Sequence, residues 1–195
     1  NNIIFRLLQN TPPGKAAFTI LDPIGLGQNF AGLMHLADFE ESIINRRIWT
    51  QRDQIEERLA ELNEHIEKVI QMYLRNEYAT ITEYNARAGT VAEKYHFLVI
   101  ADFPANFSET AVKRLQSIVT SGPRCGVFTL MHWDRRQTMP DGLLPDEIRA
   151  ASVSIRRDRG GQGSWIFAGE KPDAAEGALA FDEPPEPALA IEIAG

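Results

Sequence analysis

Cysteine is nearly absent. Cys125 stands alone among 195 residues, so no intrachain disulfide framework can form, and the chain fits a reducing, cytoplasmic setting. Long apolar runs are missing too: none approaches the roughly 20 residues of a membrane-spanning helix, so no direct membrane contact is expected from this segment, although a parent protein could be anchored elsewhere. Positive charge is scarce. The 20 Lys and Arg against 27 Asp and Glu leave a net charge of −7, which excludes broad electrostatic capture of nucleic acid and leaves only a local basic stripe for that task. No initiator Met, basic leader or cleavage site accompanies Asn1-Asn2-Ile3-Ile4, so the sequence reads as a piece of a longer protein. His35, His65 and His96 lack the mutual spacing of a zinc site.

What is present is the composition of a globular unit, 44% hydrophobic and 24% charged. Residues 2 to 9 have helical spacing and stop before Thr11-Pro12-Pro13-Gly14. Ala16 to Leu21 is a short apolar strand closed by Asp22-Pro23, and a glycine-bearing loop follows. Between Trp49 and Asn76 there is no Pro or Gly, and Ile55, Leu59, Leu62, Ile66, Val69 and Tyr73 recur at spacings of four and three. This predicts a long helix over 49–76, either packed along its own domain or pairing as a coil. Thr80 with Glu83 caps a shorter helix that Gly89 ends.

Phe97 to Ala101 is an apolar strand, Ser108 caps a helix reaching Thr120, and Gly126 to Met131 is a second apolar strand. Strand, helix, strand with fully apolar runs predicts a parallel sheet covered on both faces, an α/β architecture. Short strands are expected at 152–156, 164–168 and 178–181. The core then occupies residues 1–181, and 182–195 is an acidic, proline-rich tail or edge segment. In open α/β sheets ligands gather at the carboxyl ends of strands, which singles out Asp22, Asp102 and the run His132-Trp133-Asp134-Arg135-Arg136. An aspartate there either holds hydrated Mg²⁺ beside a nucleotide phosphate or makes a cap or loop hydrogen bond.

The order of these pieces resembles the RecA-like motor domain of FtsK/SpoIIIE-type DNA translocases, a P-loop NTPase family. Asn2 to Leu8 is similar to the end of the helix after the Walker A loop, Ile20-Leu21-Asp22-Pro23 to the Asp-Pro strand, and Phe97 to Asp102 to the Walker B strand. Between the last two lie the long helix from Trp49 and the segment Ile81-Thr82-Glu83-Tyr84-Asn85, in the family's order. Gly126 to Arg135 falls on the sensor strand, and Gly142-Leu143-Leu144 with Ile148 resembles what lies beyond it. The resemblance implies Asp102 as the Walker B acid holding Mg²⁺ through water, and Asp22 and His132 beside the nucleotide. It also implies Arg135 as a sensor or trans-acting arginine. ATP, Mg²⁺, neighbouring ATPase domains or a hexameric ring, double-stranded DNA as cargo and a part in chromosome segregation follow as expectations. Arg156, Arg157 and Arg159, around Gly160-Gly161-Gln162-Gly163, either contact phosphates of DNA or a neighbour's nucleotide, or flank a solvated hairpin turn.

The departures from the family matter as much. No Gly-x-x-x-x-Gly-Lys-Ser/Thr run occurs, so the Walker A strand and loop are lacking and ATP should not bind tightly to this chain alone. Phe103 stands where the family keeps the glutamate that polarises water, and His132, Trp133 and Asp134 stand for its Ala, Thr and Gln. The expectation is a degenerate, N-terminally truncated motor domain with impaired hydrolysis, responsive to Phe103→Glu. Two alternatives remain: a degenerate domain of a type VII secretion ATPase of the EccC kind, with a protein substrate, and a non-enzymatic assembly module.

Overall fold

In this computed structural model, which describes residues 2–36, 43–45, 47–75, 77–157, 165–168 and 189, three apolar runs pair in parallel. They are β1 (Ala16–Leu21), β2 (Tyr95–Phe103) and β3 (Val127–Trp133), in the order β1-β2-β3. Single parallel bridges, Phe18 to Ile44 and Leu21 to Trp49, add a partial fourth line beside β1. Because β2 is central, its side chains alternate between two cores. Phe97 and Val99 join Phe18, Ile20, Ile4 and Phe5 under α1 (Asn2–Asn10). Leu98 and Ile100 join Leu21 under α2 (Arg52–Val69) and, after α3 (Ile81–Ala88), α4 (Glu109–Ser121). Helices on both faces of a parallel sheet are the expected α/β layering.

The long helix is shorter than its sequence pattern. It starts at Arg52 because Trp49 is claimed by the sheet: its N–H donates to Ile20 at 2.9 Å, its carbonyl accepts from Asp22 at 2.9 Å, and its ring lies 4.4 and 4.5 Å from the Arg47 and Arg58 guanidiniums. At the other end the α-helix widens into a π-helical turn, Ile70–Leu74, which Arg75 closes with a left-handed φ of 38°. Ile55, Leu59, Leu62, Ile66 and Val69 are all buried against the chain's own core, so the seam available to a coiled-coil partner is already filled.

Local signals place the other elements. Thr80 accepts from the Glu83 N–H at 3.4 Å while the Glu83 carboxylate accepts from Ala79 at 2.9 Å, a reciprocal cap for α3. Ser108 accepts from Ala111 at 3.0 Å to start α4. β3 begins at Val127, one residue later than the sequence suggests, because Gly126 has a φ of 77° and a Cβ there would meet Ile81 at 2.8 Å. Cys125 is buried beside it, and burial pushes its thiol pKa up. α5 (Pro145–Ala150) follows, then an antiparallel pair, β4 (Ser154–Arg157) and β5 (Trp165–Ala168). The strand expected at 178–181, the 182–195 tail, the Gly160–Gly163 turn and Arg159 lie outside the described residues. Among the described residues no helix is long and apolar enough to cross a membrane.

With its apolar seam internal, α2 is a core helix. Leu62→Asp is expected to destabilise the domain by about 3 kcal/mol or more, read as a lowered urea midpoint. A shift from dimer to monomer in light scattering, with stability unchanged, would contradict this packing.

Candidate functional site at the carboxyl ends of the strands

Asp22 follows β1 and is completely buried. Its carboxylate accepts from the N–H groups of Gly25 and Gly27, at 3.0 and 3.1 Å, and from the Asn29 amide at 3.1 Å. The loop folds around the acid. A Cβ on Gly25 would fall 2.6 Å from both carboxylate oxygens, so only glycine fits there. The glycine N–H groups therefore face Asp22 and not a phosphate. A shallow cleft of about 330 Å³ beside this loop is lined by Leu26, Gly27, Gln28, Ala31, Met34 and Ile48. None of these carries a charge to meet a phosphate.

Asp102 sits at a break in the β2 ladder. Pairing with β3 runs in step from His96–Val127 to Ile100–Met131 and resumes at Phe103–Trp133, so β2 carries one extra residue across Ala101 and Asp102. Asp102 takes a φ of 51° there. By strict alternation Asp102 would join Leu98 and Ile100 in the core under α2 and α4. The bulge gives that place to Phe103, which is fully buried, and its ring meets Phe107 edge-on at 4.9 Å and Trp133 at 5.3 Å. Asp102 is released toward solvent with 21% of its side chain exposed, and its carboxylate lies 3.1 Å from Nδ1 of the exposed His132. A Glu in place of Phe103 would point into this aromatic cluster, away from any water at Asp102, so the expected rescue by Phe103→Glu does not fit the geometry.

Beyond β3 the chain turns on a clasp that the sequence did not single out. Arg136 donates to buried Asp134 from its backbone N–H at 3.0 Å and from its guanidinium at 2.8 and 3.0 Å. These bonds hold the Asp134 carboxyl down from 3.8 to about 2, and they raise the Arg136 pKa. Asp134 also receives its strand-end contact here, its N–H donating to the Phe103 carbonyl at 2.9 Å. Arg135, the neighbour, is exposed and makes no hydrogen bond or ion pair among the described residues. The fold thus brings Asp102 and His132 together, leaves Arg135 exposed in the turn after β3, and commits Asp22 to its own loop. Arg156 is exposed on β4, at the register of Ile166, and Arg157 pairs with Trp165.

One grouping was not visible in the histidine spacing. His65 on α2, His96 on β2 and Glu93 before β2 place their ligand atoms within 4.8 Å of one another, with the two imidazoles 4.2 Å apart. His35 is not part of this cluster. Burial, reinforced by His65 and Lys94, lowers the His96 pKa to about 4, and burial lowers that of His65 as well. Spacing along the chain could not show a helix–strand contact across 31 positions.

The donor groups at the strand ends fit a hydrated divalent cation on Asp102, where one half-shielded carboxylate stands beside an imidazole. They do not fit a triphosphate: the Gly25 and Gly27 N–H groups are taken by Asp22, and the sequence holds no Walker A lysine.

No family model matches the chain, and no curated protein matches it in sequence. Solved structures do. EssC (ATPases 2 and 3) from Geobacillus thermodenitrificans superposes with a TM-score of 0.60 at 18% identity, over 78% of this chain and 28% of that one. The pCW3 conjugation coupling protein TcpA, in its monomer form with ATPγS, gives 0.58 at 17%, over 78% and 42%. The cytoplasmic domain of EssC gives 0.61 at 14%, over 98% and 40%. The fold is therefore that of RecA-like P-loop ATPase domains. The chain spans less than half the length of each of these proteins.

The Asp134–Arg136 clasp carries a pH signature. Because the folded carboxyl titrates below its ordinary 3.8, its stabilisation is complete above that value and is lost as pH falls through about 2. Asp134→Asn should lower stability near neutral pH and flatten the acid limb, measured as urea midpoints across the acid range. An unchanged acid limb would contradict the clasp.

Proposed function

We propose that this chain is a motor-type ATPase domain of the FtsK/SpoIIIE class that keeps the Walker B position at Asp102, does not hydrolyse ATP itself, and serves active neighbouring domains in its parent protein. The bulge at Ala101–Asp102 carries this reading. It keeps an acid at the strand end while seating Phe103 in the aromatic core, so the position of the water-polarising base belongs to packing. Arg135, exposed after β3, is the group free to reach a neighbour's nucleotide in trans, and His132 orients the Asp102 carboxylate. Mg²⁺ bound through water at Asp102 would require phosphates presented by the parent assembly. Double-stranded DNA is the cargo this class moves, with Arg156, Arg157 and Arg159 as the local basic stripe.

A second reading keeps the fold and changes the cargo. In the EccC-like reading, several such domains in one chain act on a protein substrate. The net charge of −7 gives DNA backbone little to hold, and the EssC neighbour that comprises ATPases 2 and 3 has that serial arrangement.

ATP turnover by the chain is expected to stay at background, and Phe103→Glu should cost about 3 kcal/mol or more of stability without raising turnover. Turnover that rises in a stably folded Phe103→Glu variant would overturn the proposal. In the parent protein, stimulation of turnover by double-stranded DNA would support the first cargo, and stimulation only by a secreted polypeptide the second.

A further inference from the structure

The histidine pair at the opposite end of β2 has no part in that reading. His96 is the second residue of β2, six positions from Asp102 and so on the order of 20 Å away along the strand. It shares the side of β2 that carries Leu98 and Ile100, which faces α2, where His65 meets it. Both residues belong to elements fixed by the core: His65 lies between buried Leu62 and Ile66, and the His96 N–H donates to the Gly126 carbonyl at 2.8 Å.

The third member is held as firmly. The Asn85 side chain grips the backbone of Glu93 at both ends, accepting from its N–H at 2.8 Å and donating to its carbonyl at 3.0 Å. The Tyr73 phenol lies beside Glu93, whose carboxylate raises the phenol's pKa. Tyr73 sits in the π-helical turn that ends α2, so the widened turn brings a phenol to this carboxylate. Yet Nε2 of His65 is buried and has no hydrogen-bond partner among the described residues. A buried nitrogen left without a partner is costly, and such atoms call for an explanation.

We propose that His65, His96 and Glu93 form a binding site for a borderline divalent transition-metal ion, Zn²⁺ foremost, which fastens α2 to the start of β2. Two imidazoles and a carboxylate are a known zinc donor set, with a fourth position left for water. Tetrahedral metal–ligand bonds of about 2.0–2.2 Å set such donors roughly 3.3–3.6 Å apart, so a contraction of up to about 1.5 Å closes the present cluster. Lys68 and Lys94 stand near the rings and oppose any cation. Affinity must then come from coordination to nitrogen, which favours Zn²⁺, Ni²⁺ or Cu²⁺ over Mg²⁺ or Ca²⁺. Tyr73 takes the outer role of orienting the carboxylate.

The test is titration of the chelator-treated chain with Zn²⁺ against a chromogenic competitor, with Co²⁺ absorption and thermal melting as further readouts. One ion per chain, a raised melting temperature and a Co²⁺ spectrum with nitrogen ligation are expected, with no response to Mg²⁺. His65→Ala and Glu93→Gln should each weaken binding by about tenfold or more, and Tyr73→Phe by about tenfold. Glu93→Gln retains the backbone grip of Asn85, so loss of binding there with the fold intact by circular dichroism separates ligation from unfolding. Absence of Zn²⁺ binding, or binding that survives both His65→Ala and Glu93→Gln, would overturn the proposal. Neither outcome depends on nucleotide or cargo.

Discussion

The structure depends on one constraint: β2 is paired on both edges and covered on both faces. Phe97, Leu98, Val99, Ile100 and Ala101 are each less than a tenth exposed. A large apolar side chain in that position contributes about 1.5–3 kcal/mol, against roughly 1–2 kcal/mol of backbone entropy lost per residue. The two sums nearly cancel for the strand alone. The sheet is therefore stable only because the same side chains also order α1 on one face and α2 and α4 on the other.

That constraint explains the chemistry at the strand's end. A doubly covered strand must continue to fill both cores until it leaves the sheet, and the core under α2 and α4 needs a large group after Ile100. Asp102 falls on that side by alternation, but a carboxylate there would be buried without a partner. The extra residue in the ladder resolves the conflict: Phe103 fills the core against Phe107 and Trp133, while Asp102 turns out to meet His132. On the Walker B reading proposed above, the residue that follows the acid therefore belongs to the core.

Much of this was legible in the sequence, where one residue's environment is set by its near neighbours. The three apolar runs, the Thr80 and Ser108 caps and the collinear order of motifs gave the layered α/β fold. Features made by contacts between distant segments were not legible. Trp49 has helical company in sequence, but its bridge to Leu21 and its two guanidinium neighbours exist only once the sheet forms. The bulge leaves the apolar pattern unchanged up to Ala101, so periodicity could not show that Phe103 turns inward. Asp22 reads as a strand-end acid, and only the folded loop shows it gathering Gly25, Gly27 and Asn29. The Asp134–Arg136 clasp joins residues only two apart, but nothing in the sequence distinguishes Arg136 from Arg135 as the partner of Asp134.

The polar groups of β2 are arranged by the same rule at both of its ends. His96 lies on the α2 side, in phase with Leu98 and Ile100, so it must meet whatever α2 presents at that height, and α2 presents His65. Asp102 would lie in phase as well and escapes only through the bulge. A titratable group in the interior phase of a covered strand has two outcomes: it finds a buried partner, or the backbone breaks step to expel it. β2 shows both, which explains why one strand carries a clustered histidine pair at one end and a solvent-facing acid at the other. The polar groups of β2 are confined to its two ends, where the strand stops being fully covered.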